Sequence, residues 1–232
     1  MSVTGIVAAL AAEARTLGAA ARHGSAVGRL ADGNLVAVSG MGPGAATRAA
    51  LDLVAAGARQ LLSFGLAGAL DPRLGAGTVL LADAVLDEDG AVHATCAPWR
   101  ERLAARAATR GAVGGAVLSV AQPLLDAAAK AQARQRSGAS AVDMESFAIG
   151  SVAVRQGVEF AVARVVVDTA ADAVPASAMA ATGPRGEVRY PRLLLGVLGR
   201  PQEIPALLRL SRRYRTAMES LAFLARQGVG PG

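Results

Sequence analysis

The sequence predicts an α/β fold: a mostly parallel central sheet with helices on both faces. Three observations lead there. Short, nearly continuous apolar runs alternate with segments of helical spacing. Glycines and Asp/Asn–Gly turns punctuate the boundaries between them. No internal repeat or linker divides the 232 residues, a length that suits one large domain.

Taken in order, TGIVAAL (4–10) reads as a buried strand and 11–21 as a short helix. AVGRL (26–30) and LVAVSG (35–40) form a strand pair about the turn Asp32-Gly33-Asn34. The glycine loop GMGPG precedes a helix over 45–56, which Gly57 ends. QLLSFG (60–65) is a strand, GLAGALDPRLGAG a loop, and TVLLADAV (78–85) a strand. Residues 87–100 read as a crossing loop with a turn at Asp89-Gly90, 99–109 as a helix and 113–119 as a strand. Residues 123–134 fit a helix with proline in its first turn. Residues 139–143 are a strand, 145–156 a helix closed by Gly157, and EFAVARVVVD (159–168) a strong strand. The Pro-, Gly- and Ala-rich stretch 170–192 is expected to be loop, followed by a helical tail over about 201–227. The expected organisation is a domain over 1–192, with a basic helical tail over 193–232 packed on it.

Composition narrows the function classes. Aromatics are only 3%, so Ala, Val and Leu must build the core. The net charge is +6 and the basic residues are almost all arginine, Lys130 being the sole lysine. Nine arginines lie beyond residue 180, from Arg185 to Arg226. Such a tail suits an anionic partner, and an anionic membrane surface fits better than nucleic acid, because no aromatic platform or nucleic-acid motif accompanies it. Cys96 is the only cysteine, and His23 and His93 stand alone, so neither a disulfide framework nor a metal-ligand cluster is expected. The N-terminal apolar run has no basic residue before Arg15 and reads as a strand rather than a signal peptide. With no clean apolar run long enough to span a bilayer, the expected location is cytoplasmic, with peripheral contact at the inner membrane face.

Ligands of open α/β sheets bind beyond the carboxyl ends of the strands. Three carboxylates fall there. Glu13 follows the first strand, Glu145 follows the strand at 139–143, and Asp168 ends the strand at 159–168. Two glycine loops share that rim, Ser39-Gly40-Met41-Gly42 and Gly65-Leu66-Ala67-Gly68. Each feature alone has a structural reading: a tight turn for each glycine loop, an exposed helix carboxylate for Glu13, a cap for Asp168. In AVDMESFAIG (141–150), Asp143 is suited to cap the following helix, which leaves Glu145 to be explained.

The joint order is more specific. GIVAALAAEA, VSGMGPGAATRAA, FGLAGAL, AVDMESFAIG and VARVVVD resemble the nucleoside phosphorylase/nucleosidase superfamily, and are similar to its methylthioadenosine/adenosylhomocysteine nucleosidases. The resemblance runs over about residues 3–170, its most telling part being V-D-M-E-S followed by R-x-x-x-D. It implies that Glu145 hydrogen-bonds the ribose hydroxyls and that Met144 packs on the sugar. Asp168 would help place a proton on purine N7, and Glu13 would activate water. Ala67 and Gly68 would approach base and sugar, with Ser39, Gly40, Met41 and Gly42 near the nucleophile. Where the nucleosidases place a base-stacking aromatic, this chain has only Pro123 and Leu124; Phe147 is a stacking candidate for which a place in the core is the stronger reading.

The resemblance further implies cleavage of an N-glycosidic bond, with no cofactor and with phosphate as the alternative co-substrate to water. Glu13 is present while the phosphorylase Gly-Asp-Pro-x-Arg loop is missing and Ser63 takes the place of a second arginine, so water is favoured. AVDMES, RVVVDTAADAVP and RPQEIPALLRLSRRYR resemble the hopanoid-associated phosphorylase branch, to which removal of adenine from adenosylhopane is assigned. A lipid-linked nucleoside, a homodimer and membrane contact through the tail are implied in turn. The alternatives are a general methylthioadenosine/adenosylhomocysteine nucleosidase, a purine nucleoside phosphorylase, and an inactive nucleoside- or lipid-binding homologue.

Overall fold

The computed structural model describes residues 2–19, 27–173 and 201–230. The expectations for 170–192 and for Arg185, Arg189, Arg192 and Arg200 fall almost wholly outside them. Among the described residues ten strands and six α-helices follow one another: β1 (Thr4–Ala8), α1 (Ala11–Thr16), β2 (Gly28–Arg29), β3 (Leu35–Val38), α2 (Pro43–Ala55), β4 (Gln60–Ala69), β5 (Val79–Leu81), β6 (Ala84–Leu86), β7 (Val92–Ala94), α3 (Ala97–Arg106), β8 (Val117–Ser119), α4 (Ala127–Ser137), β9 (Ala141–Asp143), α5 (Ser146–Gln156), β10 (Glu159–Asp168) and α6 (Ile204–Arg226).

All ten strands join one sheet, ordered β2-β3-β1-β4-β9-β8-β6-β7, with β10 pairing β4 and β5. β1–β3, β1–β4, β4–β10, β6–β8 and β8–β9 are parallel. The remaining four pairings are antiparallel, so the sheet is more mixed than the sequence suggested.

Period-two alternation divides the core. Along β10, Ala161, Ala163 and Val165 join one apolar cluster with Trp99 and Leu103 of α3 and with Ala217, Leu221 and Leu224 of α6. Phe160 and Val162 point the other way, into a cluster with Ala46, Ala50 and Leu53 of α2 and Ile149 and Val152 of α5. The C-terminal half of α6 is therefore part of the core. Trp99 Nε1–H donates to the Val229 carbonyl at 3.0 Å, and Arg106 donates to the Gly228 and Gly230 carbonyls at 2.9 and 2.6 Å.

Four sequence expectations need correction. The strand at 60–65 does not stop at Gly65: β4 continues to Ala69, because β10 runs beside it as far as Gly68. Beyond Ser63, β1 no longer pairs with β4, and β9 joins β4 at Gly68 and Ala69. The run 78–85 is two strands broken at Ala82-Asp83, and the supposed loop at 87–100 holds β7 and the start of α3. The helix expected from Pro123 starts at Ala127, where the Asp126 carboxylate accepts the Ala129 N–H at 2.8 Å. Pro123 and Leu124 are thereby left in the preceding loop.

Candidate active site

The divergence of β1 from β4 opens a cavity of about 220 Å³ over the strand ends. Ala9, Leu10, Met41, Val120, Leu124, Val142 and Val167 give it apolar walls; Glu13, Asp143, Glu145, Asp168, Lys130 and Arg164 supply its charges.

Glu13 comes from the first turn of α1 and is 2% exposed. Its Oε2 accepts the Leu10 N–H at 2.9 Å, reaching back over the start of its own helix. Its Oε1 accepts the Leu66 N–H at 2.9 Å. Leu66 lies past the end of the β1–β4 pairing, so the carboxylate takes an amide that β1 does not reach. The Leu66 carbonyl accepts from Arg164 Nη1 at 3.3 Å. Gly65 makes this approach possible, since a Cβ there would stand 2.6 Å from Glu13 Oε1 and 2.8 Å from Arg164 Nη1.

Arg164 is fully buried in the middle of β10. Its Nη2 lies 2.8 Å from Asp143 Oδ2 and 3.5 Å from Glu145 Oε2, and it donates to Ser63 Oγ at 2.8 Å. Asp143 also accepts from the Glu145 and Ser146 amides at 3.3 and 3.2 Å, and from Ser119 Oγ at 2.6 Å. It therefore ties down the amides that open α5 and holds the arginine as well, although the N-cap position itself belongs to Glu145 and not to Asp143. Glu145 stands at the N-cap of α5, and its Oε1 accepts the Gly42 N–H at 2.9 Å, tying the first glycine loop to AVDMES.

Three acids, Asp143, Glu145 and Glu13, thus surround one guanidinium. Burial pushes the Glu145 carboxyl up to about 7; Arg164 pulls it down, while the charges of Asp143 and Glu13 push it up. Burial also raises Glu13, against the pull of Arg164 and of the amides it accepts. Asp168, at the end of β10, is raised by burial and pulled down by Lys130, whose ammonium is ion-paired with it. Gly68 lies under Asp168: a Cβ there would come within 3.2 Å of Asp168 Oδ1.

The cavity gathers Glu13, Glu145, Asp168, Met144, Ala67, Gly68, Pro123, Leu124 and Met41. Gly42 touches the site through its amide, whereas Ser39 and Gly40 do not line the cavity. Phe147 does not line it either; its ring stacks on His93 with centroids 4.5 Å apart. Sequence reasoning missed Arg164 and Lys130. Arg164 was visible in R-x-x-x-D and Lys130 as the single lysine, but neither pattern shows which way the side chain points.

A family model described as the phosphorylase superfamily matches residues 4–198. No curated protein matches the chain. Among similar solved structures is the 5′-methylthioadenosine/S-adenosylhomocysteine nucleosidase of Neisseria meningitidis in complex with methylthio-immucillin-A. It is 19% identical, with 98% of each chain covered and a TM-score of 0.73. The corresponding nucleosidase of Campylobacter jejuni is 18% identical, again over 98% of each chain, with a TM-score of 0.71. Futalosine hydrolase of Helicobacter pylori is 18% identical over 97% of each chain, with a TM-score of 0.68. At these identities the structures show a shared fold.

Proposed function

The chain belongs to the phosphorylase superfamily, and on that premise we propose that it cleaves the N-glycosidic bond of a 5′-modified adenosine and releases adenine. The observation that carries this reading is the gathering of Glu13, Glu145 and Asp168 on the walls of one cavity. Breaking the bond develops positive charge on the ribose and negative charge on the base. The Glu145 carboxylate accepts from the ribose hydroxyls and stabilises the cationic sugar. Asp168 faces the base and helps place a proton on N7, an effect worth about 10²–10⁴-fold in rate. Met144 and Gly68 pack on sugar and base.

Water is the favoured nucleophile. Glu13 is fixed by two amides and, being pushed up by burial, is suited to take a proton from water. Phosphate would bring more negative charge to a cavity whose two lining cations already face carboxylates, Arg164 with Asp143 and Glu145, Lys130 with Asp168. The substrate we propose is adenosylhopane. Its large apolar 5′ group suits the apolar walls around Leu10 and Met41, and the exposed first half of α6 supports contact with an anionic membrane. Ile204 and Leu208 are exposed there beside Arg209, Arg212 and Arg215. Among the described residues no helix is long and apolar enough to cross a membrane. We expect a homodimer, which sedimentation would check.

The test is to incubate the protein with adenosylhopane, with methylthioadenosine and with 5′-deoxyadenosine, with and without phosphate, and to measure free adenine. Adenine released without phosphate, fastest from adenosylhopane, is the expected result. Strict phosphate dependence would overturn the choice of water, and tight binding without turnover would make the chain a binding protein.

A further inference from the structure

We propose that Lys130 supplies the proton that the departing purine takes at N7. The inference rests on the adenine-releasing reading above. It begins with a placement that α4 does not otherwise explain. α4 is a polar helix in which only Lys130 and Ala133 are buried, and the Lys130 side chain is 1% exposed. A chain that uses arginine everywhere else as its long cation puts its one lysine here.

The ammonium carries three N–H groups. The described residues take two of them: one goes to the Asp168 carboxylate, one to the Thr169 carbonyl at 2.9 Å. No described residue accepts the third, and Lys130 lines the cavity. A buried donor without an acceptor is costly, a cost that an acceptor on the ligand would remove.

The two neighbours form a complementary pair. Lys130 can only donate, and the Asp168 carboxylate can only accept. The outer edge of a 6-aminopurine offers the N7 acceptor beside the amino donor, matching them one to one. A 6-oxopurine offers two acceptors there and would leave Asp168 facing one of them. The pair therefore selects adenine as well as assisting its departure.

The C1′–N9 bond breaks and its electron pair passes into the purine. Lys130 gives one proton to N7, adenine leaves as a neutral tautomer, and the resulting amine stays hydrogen-bonded to Asp168. Water bonds to C1′ and gives a proton to Glu13. One proton has moved from Lys130 to Glu13, and exchange with solvent restores both once the products leave.

The test compares adenine release with nitrophenolate release from a 4-nitrophenyl riboside bearing the same 5′ group, because nitrophenolate departs without a proton. Lys130→Met is expected to slow adenine release by about 10²–10⁴-fold and nitrophenolate release by less than about tenfold. Lys130→Arg keeps the cation beside Asp168 and carries the test if Lys130→Met does not fold. It should show the same split, because a guanidinium holds its protons above pH 12. Adenine release by Lys130→Ala should recover with added ethylamine and not with tetramethylammonium. Equal losses on both substrates, or wild-type adenine release by Lys130→Arg, would overturn the role of Lys130. A wild-type protein that releases no adenine would instead remove the reading of the whole cavity, and this proposal with it.

Discussion

At the scale of single residues, Glu145 carries the sharpest consequence. Its carboxyl is pushed up to about 7 by burial, against the pull of Arg164. In the proposed ribose contact, the protonated group would no longer present a full acceptor. We predict that kcat/KM falls below about pH 7, tracking its titration, and that Glu145→Gln loses most activity together with this acid limb; a pH–rate profile checks both. The effect on stability has the opposite sense. The folded-state pKa lies above the ordinary 4.5, so folding favours the protonated form, and that contribution is lost as pH rises through 7. Glu145→Gln should therefore melt higher than wild type above pH 7 and match it below about pH 4.5, which thermal denaturation at the two pH values would show. Asp168→Asn is expected to fold normally and to lose adenine release by about 10²-fold or more, read by the same adenine assay. The three acids were legible in the sequence because each closes a strand or opens a helix within a recognisable order. Arg164 and Lys130 were not, because a cation in a strand or a polar helix gives no sign of facing inward. For Phe147 the core was the stronger of two readings, and the packing sets it against the core with its ring on His93 rather than in the cavity.

At the scale of elements, β4 decides where the cavity lies. Gly-Leu-Ala-Gly reads as loop, and the sequence gives no hint that β10 stays paired with β4 to Gly68. The stretch can remain a strand after β1 ends because Glu13 and Arg164 complete Leu66 on its open edge. This makes Gly65 a point where site and strand depend on each other. A methyl group there would collide with both Glu13 and Arg164. We predict that Gly65→Ala destabilises the protein by about 1–3 kcal/mol and reduces adenine release by more than tenfold, measured by denaturant unfolding and by the adenine assay. A variant with wild-type stability and rate would show that the approach is looser than described. The continuous burial of β1, β3 and most of β10 was readable because strands covered on both faces are unbroken apolar runs. The start of α4 was misplaced because Pro123 looked like a first-turn proline, whereas Asp126 is the residue that accepts the helix amide.

Across the whole molecule, the sheet brings together groups that lie far apart in sequence: Glu13 from the first helix, Glu145 from the fifth, and Asp168 from the last strand. The division of labour along α6 follows the same logic. Its second half belongs to the core through Ala217, Leu221 and Leu224, while its first half leaves Leu208 and several arginines exposed. If that half meets membrane, the protein should sediment with anionic vesicles and not with zwitterionic ones, and replacing Arg209, Arg212 and Arg215 by Ser should weaken the association while leaving adenine release from a soluble nucleoside intact. Vesicle binding indifferent to lipid charge would contradict that role for the tail. The fold class and the order of the site residues were legible as alternating runs and motifs. The mixed pairing of the sheet was not, because strands of three residues carry too little pattern to reveal their direction. The account as a whole turns on one assay: mass spectrometry of the products formed from adenosylhopane in phosphate-free buffer made with ¹⁸O-water. It predicts free adenine together with a ribosyl product carrying ¹⁸O at C1; no adenine, or adenine only after phosphate is added and with a 1-phosphate product, would contradict it.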